Sequence, residues 1–325
     1  MITHRKARKS AMELQKRTVL SEAEKNQIDD LVKLCNRYDT TYTDIYLSNQ
    51  FNYHADLPAF FLAYEGERLV GILNIYADEA DDAEIKALIC PENRRQGIFR
   101  LLLQAAWTEL KKKEYSSILY VVDRNFSGYE NLMSALGGTY TEAEYYMVWQ
   151  DPAQAALAGS TGKIPEMAKS PVQDRPAAVK KVPAEADSSR EVRPATEDDI
   201  PVSAQIAAEA FDEDIAIQLK YETESLHDPE IYKFVIEQNG QIAGGCSVGV
   251  RPELNYIFGL CVAKARQHQG LGKALLNGVI ARLRAEGREN IALSVVTDNE
   301  NALKLYQNCG FVAKTANLYY KKAID

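Results

Sequence analysis

Forty consecutive residues, 151–190, contain no aromatic side chain and carry five prolines, Pro152, Pro165, Pro171, Pro176 and Pro183. Such a stretch buries too little apolar surface to offset the entropy of ordering it. It therefore splits the 325-residue chain into two pieces, 1–150 and 191–325, each the size of an ordinary domain. A flexible segment of that length has an r.m.s. reach of roughly 35 Å, so the two pieces are expected to dock in more than one orientation.

The two flanks share a pattern, as an internal repeat does. Gly71 and Gly97 lie 26 positions apart, and so do Gly244 and Gly270; Asn125 follows Gly97 by 28 and Asn299 follows Gly270 by 29. Each flank opens on a capped helix: Ser21 with Glu24 ahead of Ile28, Leu31, Val32 and Cys35, and Thr196 with Asp199 ahead of Ile200, Ala204, Ile206 and Ala207. A hairpin follows, 59–64 turning at Glu65-Gly66 into 69–76, and 232–238 turning at Asn239-Gly240 into 241–250. A third strand, 83–89 or 254–262, leads through a glycine turn into a long helix. That helix has one apolar face, Ile98, Leu102, Ala106 and Leu110 in the first flank and Leu271, Leu275, Val279 and Leu283 in the second. Another strand (117–122; 291–296), a short helix and a terminal strand or hairpin complete each flank. The expected fold class is α/β: two mixed-sheet domains, hairpins first and a β-α-β unit after, joined by the Ala/Pro-rich linker.

Bulk properties exclude several classes of function. A net charge of −8 and a pI near 5.3 argue against a general nucleic-acid binder. The five cysteines, Cys35, Cys90, Cys246, Cys261 and Cys309, are scattered and form no C-x-x-C pair, so neither a disulfide framework nor a zinc ribbon is indicated. Reduced thiols and a cytoplasmic protein are expected, with no metal. The basic start of the chain, 1–17, lacks the apolar core of a secretory signal and is expected to be a solvated tail around Arg5, Lys6, Arg8 and Lys9. No apolar run approaches the ~20 residues of a membrane span.

The densest chemistry lies between Leu260 and Phe311. The strand ending Leu260-Cys261-Val262 is followed by Gln267-His268-Gln269-Gly270-Leu271-Gly272-Lys273. The glycines let the backbone curl, and the free N–H groups and positive dipole end of the helix favour a diphosphate. By itself that motif is weak, because a strand-to-helix turn needs glycine anyway. Behind it come Asn299, Ala302, Tyr306 and Gly310-Phe311. Asn299 is also placed to cap a helix, and Tyr306 to be a half-buried core aromatic; the three features together point to a nucleotide-linked thioester.

On these residues the chain resembles the GNAT superfamily of N-acetyltransferases, closely over 191–325, where Gln267, Gly270 and Gly272 match the family's [Q/R]-x-x-G-x-[G/A] cradle. The resemblance implies acetyl-CoA, or another acyl-CoA, as donor. It implies that Leu260, Cys261 and Val262 pair with the pantetheine arm and that the amides of Gln267, His268, Gln269, Gly270, Leu271, Gly272 and Lys273 hold the pyrophosphate. Asn299 would bond the pantetheine, and Tyr306 would protonate the departing thiolate. The acceptor is expected to be a small primary amine, with a protein lysine or amino terminus as one alternative and a non-catalytic acyl-CoA-binding protein as another. Glu253 and Tyr256 are candidates for the base. Cys261 is expected to be a core thiol, since no histidine partner accompanies it.

Residues 55–150 resemble the same superfamily more loosely. Arg94-Arg95-Gln96-Gly97-Ile98-Phe99 keeps the basic residue and first glycine, and Asn125 matches Asn299, but Leu132 falls where Tyr306 does, with Tyr129 out of register. The first half is therefore expected to be catalytically silent. The acidic runs Asp212-Glu213-Asp214 and 78–84 are candidate recruiters of a cationic amine, with a solvated acidic face as the simpler reading. No membrane or nucleic-acid partner is expected.

Overall fold

The computed structural model describes residues 12–151 and 189–324. In chain order the first elements are β1 (Met12–Arg17), α1 (Glu22–Asp39), β2 (Phe60–Glu65), β3 (Arg68–Tyr76), β4 (Asp82–Ile89), α2 (Ile98–Lys112), β5 (Ser117–Asp123), α3 (Tyr129–Leu136) and β6 (Thr139–Trp149). They continue with β7 (Arg190–Pro194), α4 (Ile200–Phe211), α5 (Ile215–His227), β8 (Ile231–Gln238), β9 (Gln241–Val250), β10 (Asn255–Val262), α6 (Leu271–Ala285), β11 (Ile291–Val296), α7 (Glu300–Asn308) and β12 (Phe311–Ala323).

These elements form two compact units, Met1–Glu144 with Thr315–Asp325, and Tyr145–Lys314. The units do not coincide with the sequence pieces 1–150 and 191–325, because β6 and β12 each change unit part-way along. Of the expected linker, 152–188 lies outside the described residues, as do Arg5, Lys6, Arg8 and Lys9.

In unit 1 the strand order is β1-β2-β3-β4-β5-β12, followed by β6. The expectation of a solvated tail over 1–17 fails for its second part. Met12–Arg17 is a strand paired antiparallel with β2 in six register positions, Met12 opposite Glu65 through Arg17 opposite Phe60. Backbone bonding to an open sheet edge fixes a segment whose composition alone reads as soluble. The capping box on α1 forms as expected: Glu24 N–H donates to Ser21 Oγ at 3.3 Å and Ser21 N–H to Glu24 Oε2 at 2.8 Å. Ile28, Leu31 and Cys35 face inward, and successive residues of β2 and β3 are buried, as in strands covered on both faces. β12 completes this unit, antiparallel to β5 from Asn317 opposite Asp123 to Ala323 opposite Ser117.

In unit 2 the order is β7-β8-β9-β10-β11, with β6 beside β11. Asn239 and Gly240 both take positive φ, 54° and 72°, the conformation a two-residue hairpin turn demands. The predicted apolar face of α6 is buried in full: Leu271, Leu275, Leu276, Val279, Ile280 and Leu283. A Cβ on Gly278 would come within 2.9 Å of Val192, so α6 lies directly on β7. The end of β6 is fixed here: Trp149 Nε1–H donates to Cys309 O at 3.0 Å, Gln150 N–H to Gly310 O at 2.9 Å, and Arg284 stacks on the Trp149 ring while pairing with Asp151.

Candidate active site

The site is built on β10. This strand pairs with β9 from Asn255 opposite Val250 to Phe258 opposite Ser247, and pairing resumes at Cys261 opposite Gly245. Between these points Gly259, at φ 61°, and Leu260 form a bulge. The bulge turns the Cys261 carbonyl onto Gly244, where a Cβ would sit 2.4 Å from that oxygen and 3.0 Å from Val262 Cα. At Gly245 a Cβ would sit 2.9 Å from Phe234 O. A glycine pair inside a strand is therefore required by close backbone approach. On its other side β10 pairs in parallel with β11 only at Asn255–Ile291 and Tyr256–Ala292. Beyond Tyr256 the edge of β10 carries no ladder to β11, leaving backbone donors and acceptors of 257–262 turned toward the gap.

The cradle continues from that edge. His268 and Gly270 both take positive φ, 61° and 79°, which folds the loop back before α6. Gln267 Nε2 donates to Val262 O at 3.2 Å, and Arg190 Nη2 donates to Gln269 O at 3.0 Å, so side chains brace the loop from both ends. Gln267, His268, Gln269, Gly270 and Lys273 are exposed, while Leu271 is buried. The first intrahelical bond is Ala274 N–H to Gly270 O at 3.0 Å, so the N–H groups of Leu271, Gly272 and Lys273 precede it and remain for an anion. Gly272 has a different role: its Cβ would lie 3.3 Å from Leu305 and 3.8 Å from Val262, so it lets α7 and β10 close on α6.

Asn299 caps α7, accepting from Ala302 N–H at 3.0 Å. Tyr306 is nearly buried, its ring edge-on to Phe311 at 6.1 Å, and its hydroxyl has no hydrogen-bond partner among the described residues. Burial, with smaller contributions from Cys246 and Cys309, pushes its phenol up to about 12. Burial also pushes the Cys261 thiol up to about 11, so it stays protonated and packs against Ile206 and Ala207 of α4. All five cysteines are free and buried.

The acidic run after α4 is spent on local structure. Asp212 closes α4 at φ 59°, Asp214 caps α5 by accepting from Ala216 N–H at 2.7 Å, and Glu213 accepts from Gln218. Glu253 is exposed, and Tyr256 is half-buried on β10 opposite Ala292. In the other run, Asp82 pairs with Lys321 at 2.7 Å, and burial lifts the half-buried Glu84 carboxyl to about 7 against the opposing charge of Lys86.

Unit 1 repeats the curl and, over 86–89, the parting of the strand from its parallel neighbour, but not the bulge. Arg95 and Gly97 take φ 61° and 85°, matching His268 and Gly270. Arg94 Nε donates to Ile89 O at 3.0 Å, the counterpart of the Gln267 bond to Val262. Its guanidinium then grips Asp39 bidentately and stacks between Tyr38 and Phe126. β4 keeps an unbroken ladder to β3 and pairs with β5 over four positions, Asp82–Ser117 to Ile85–Tyr120, where unit 2 pairs over two. Asn125 Nδ2 donates to Thr40 O at 3.0 Å, and Leu132 packs into the unit 1 core. The sequence reading missed the meaning of Gly244-Gly245 and the reach of Arg94. A doublet of glycines mid-strand signals the first; nothing local signals the second, because Asp39 lies 55 residues upstream.

A bulged strand that parts from its parallel neighbour, followed by a left-handed turn into a helix, occurs with a matching sequence pattern. The profile of the acetyltransferase (GNAT) family matches residues 26–129 and 198–311. The chain belongs to the GNAT acetyltransferase family. Among individual relatives of this GNAT chain, mycothiol acetyltransferase of Paenarthrobacter aurescens is 31% identical over 103 residues, 30% of this chain and 32% of that protein. Ribosomal protein bS18-alanine N-acetyltransferase of Escherichia coli is 33% identical over 92 residues, 28% of this chain and 62% of that protein. The chain thus aligns with less than two thirds of either relative. A GCN5-related N-acetyltransferase from Sphaerobacter thermophilus shares the fold with a TM-score of 0.67 at 15% identity, covering 96% of both chains. A tandem GNAT protein from the clavulanic acid biosynthesis pathway gives 0.63 at 18%, covering 97% of this chain and 99% of that one. Among the described residues no helix is long and apolar enough to cross a membrane, and no group of three or more His, Cys, Asp or Glu is gathered to hold a metal ion.

Proposed function

We propose that unit 2 transfers an acetyl group from acetyl-CoA to a primary amine by direct attack, and that unit 1 does not turn over. The observation that carries this reading is the open edge of β10 beside the bulge, running into the exposed amides at the start of α6. The fit is specific: an extended amide-bearing arm pairs with a free strand edge, and a diphosphate sits on helix N–H groups. Acetyl-CoA, when bound, supplies an activated acyl group on a thiol leaving group. Leu260 and Val262 offer backbone groups to the pantetheine arm and to the thioester oxygen. Gly270, Leu271, Gly272 and Lys273 offer amides to the pyrophosphate, and Lys273 adds its charge.

Tyr306 holds the proton for the departing sulfur. An ammonium acceptor gives up two protons in becoming an amide; one ends on the sulfur through Tyr306, and the other goes to solvent. A phenol near 12 is a weak acid against a thiol near 8.5 in water. The same dry surroundings raise the thiol, which narrows the gap. A protein amino terminus is the second reading, favoured by the similarity to the ribosomal-protein acetyltransferase.

Two measurements test the proposal. Thiol release from acetyl-CoA should depend on added primary amine. Its kcat/KM should rise with pH as the ammonium (pKa ≈ 10.4) loses its proton, without a descending limb up to about pH 10. The sign follows from the phenol being active when protonated: burial moves its loss from about 10 to about 12. A downturn centred at or below pH 10 would remove Tyr306 as the buried acid.

Gly244→Ala tests the strand edge. Its Cβ would collide with backbone at 2.4 Å, so the bulge must shift. Calorimetric titration should show acetyl-CoA affinity at least tenfold weaker, whereas Gly249→Ala, whose nearest atom is 3.9 Å away, stays within twofold. Equal affinities in the two variants would mean that the bulge does not shape the donor site.

A further inference from the structure

The helix α5 is built inside out. Its buried residues are Gln218 and Ser225, both polar, while Ile215, Ile217 and Leu219 are 39%, 50% and 38% exposed. Gln218, Glu222 and Ser225 recur at helical spacing and so share one face. Contact with the sheet identifies that face: Glu222 Oε2 meets Lys233 Nζ of β8 at 3.0 Å, and Lys233 Nζ donates to Ser247 Oγ of β9, also at 3.0 Å. Lys233 and Ser247 are direct cross-strand partners. The lysine side chain is only 7% exposed and the glutamate 14%. Ser225 is 0% exposed, and its hydroxyl has no hydrogen-bond partner among the described residues.

Burying an ion pair and an unbonded hydroxyl where leucines would pack costs stability. Ordinary helix packing does not explain it, since the apolar side chains that would fill this layer face solvent. The layer lies on the sheet face that carries Cys261, because Gly245, opposite Cys261, and Ser247 are two apart on β9. Lys233 lies opposite Ser247 of β9, and Ser247 lies opposite Phe258 of β10, so Glu222 and Lys233 sit one strand away from β10. They therefore lie near the strand that the proposed function assigns to the acyl donor.

We propose that this polar layer recognises the acceptor, and that the acceptor is dipolar: a small free α-amino acid whose carboxylate pairs with Lys233 and whose ammonium is held by Glu222. A simple cationic amine would be repelled by Lys233. A molecule whose two opposite charges are one carbon apart replaces the ion pair with two new ones, and its carboxylate has Ser225 and Ser247 hydroxyls within the same layer. This inference rests on the acetyl-CoA reading of unit 2 and narrows its substrate class.

The experiment uses the full-length protein, a panel of free L-amino acids and the carboxamide of each. Thiol release and calorimetric titration are read together. At least one free amino acid should exceed its carboxamide tenfold or more in kcat/KM, although the lower amine pKa of the amide favours the amide. Lys233→Met should raise KM for that amino acid at least tenfold, hold kcat within threefold and bring acid and amide to within twofold of each other. Its unchanged affinity for acetyl-CoA serves as the check on folding. Amides or amino-terminal peptides used as well as free acids would overturn the inference while leaving the acetyltransferase reading intact. No binding of any amino acid would overturn it too. Absence of thiol release with every amine would instead remove the enzymatic reading, and the titration would still decide whether amino acids bind.

Discussion

Deletion of residues 315–325 is expected to unfold unit 1. The deleted strand segment occupies the edge of β5 over seven register positions, 317–323 against 117–123. It buries Ala316, Leu318 and Tyr319, and a buried side chain the size of leucine contributes on the order of 1.5–3 kcal/mol, a methyl less than about 1. Its loss also strips partners from groups that stay behind. Asp123, nearly buried, loses the Thr315 hydroxyl; Leu136 O loses Lys322 Nζ at 2.7 Å; Asp82 loses Lys321; and Ser116 O loses Ile324 N–H at 2.8 Å. Together these are of the same order as the roughly 5–15 kcal/mol that stabilises a domain. Hydrogen exchange should show β2–β5 amides unprotected in the truncated chain, with protection retained in β8–β10. Leu318→Ala, a milder cut, should destabilise unit 1 by about 2–4 kcal/mol. Native protection across β5 in the truncated chain would show that this strand is dispensable.

Tyr306→Phe is expected to lower kcat by about 10²–10³-fold, the range of a positioned general acid. Affinity for acetyl-CoA should change less than threefold, and Tm should barely move. The last expectation has a specific basis. The ring keeps its edge contact with Phe311, and the lost hydroxyl bonds no described residue, so no buried partner is left unsatisfied. A core tyrosine with a structural hydroxyl bond would give the reverse pattern, a fall in Tm with little loss of turnover. A kcat within twofold of the native value would assign Tyr306 to the core alone.

Much of each unit was legible because its signals are local. Ser21 with Glu24, and Thr196 with Asp199, each form the capping box their spacing predicts. Asn239-Gly240 makes the expected turn, β11 spans the predicted 291–296, and the positive φ at Gly270 sits where the cradle motif requires it. The assignment of Asn299 as cap or ligand stayed open in sequence; the structure shows the cap, which leaves its Nδ2 for other use. The acidic run at 212–214 is exposed and used at helix ends, in keeping with the simpler of its two readings, because short carboxylates next to a helix start serve as caps.

The sequence by itself determined the repeat, the order of elements, the family's cradle and the difference between Tyr306 and Leu132. Tertiary structure alone decided which unit each strand completes, how Arg94 reaches Asp39, why Gly244 must lack a side chain, and which face of α5 turns inward. The reason is physical. Caps, turns and amphipathic periods are fixed by neighbours a few residues away, whereas sheet edges and buried charges are fixed by partners that the chain brings together from 55 to 192 positions apart.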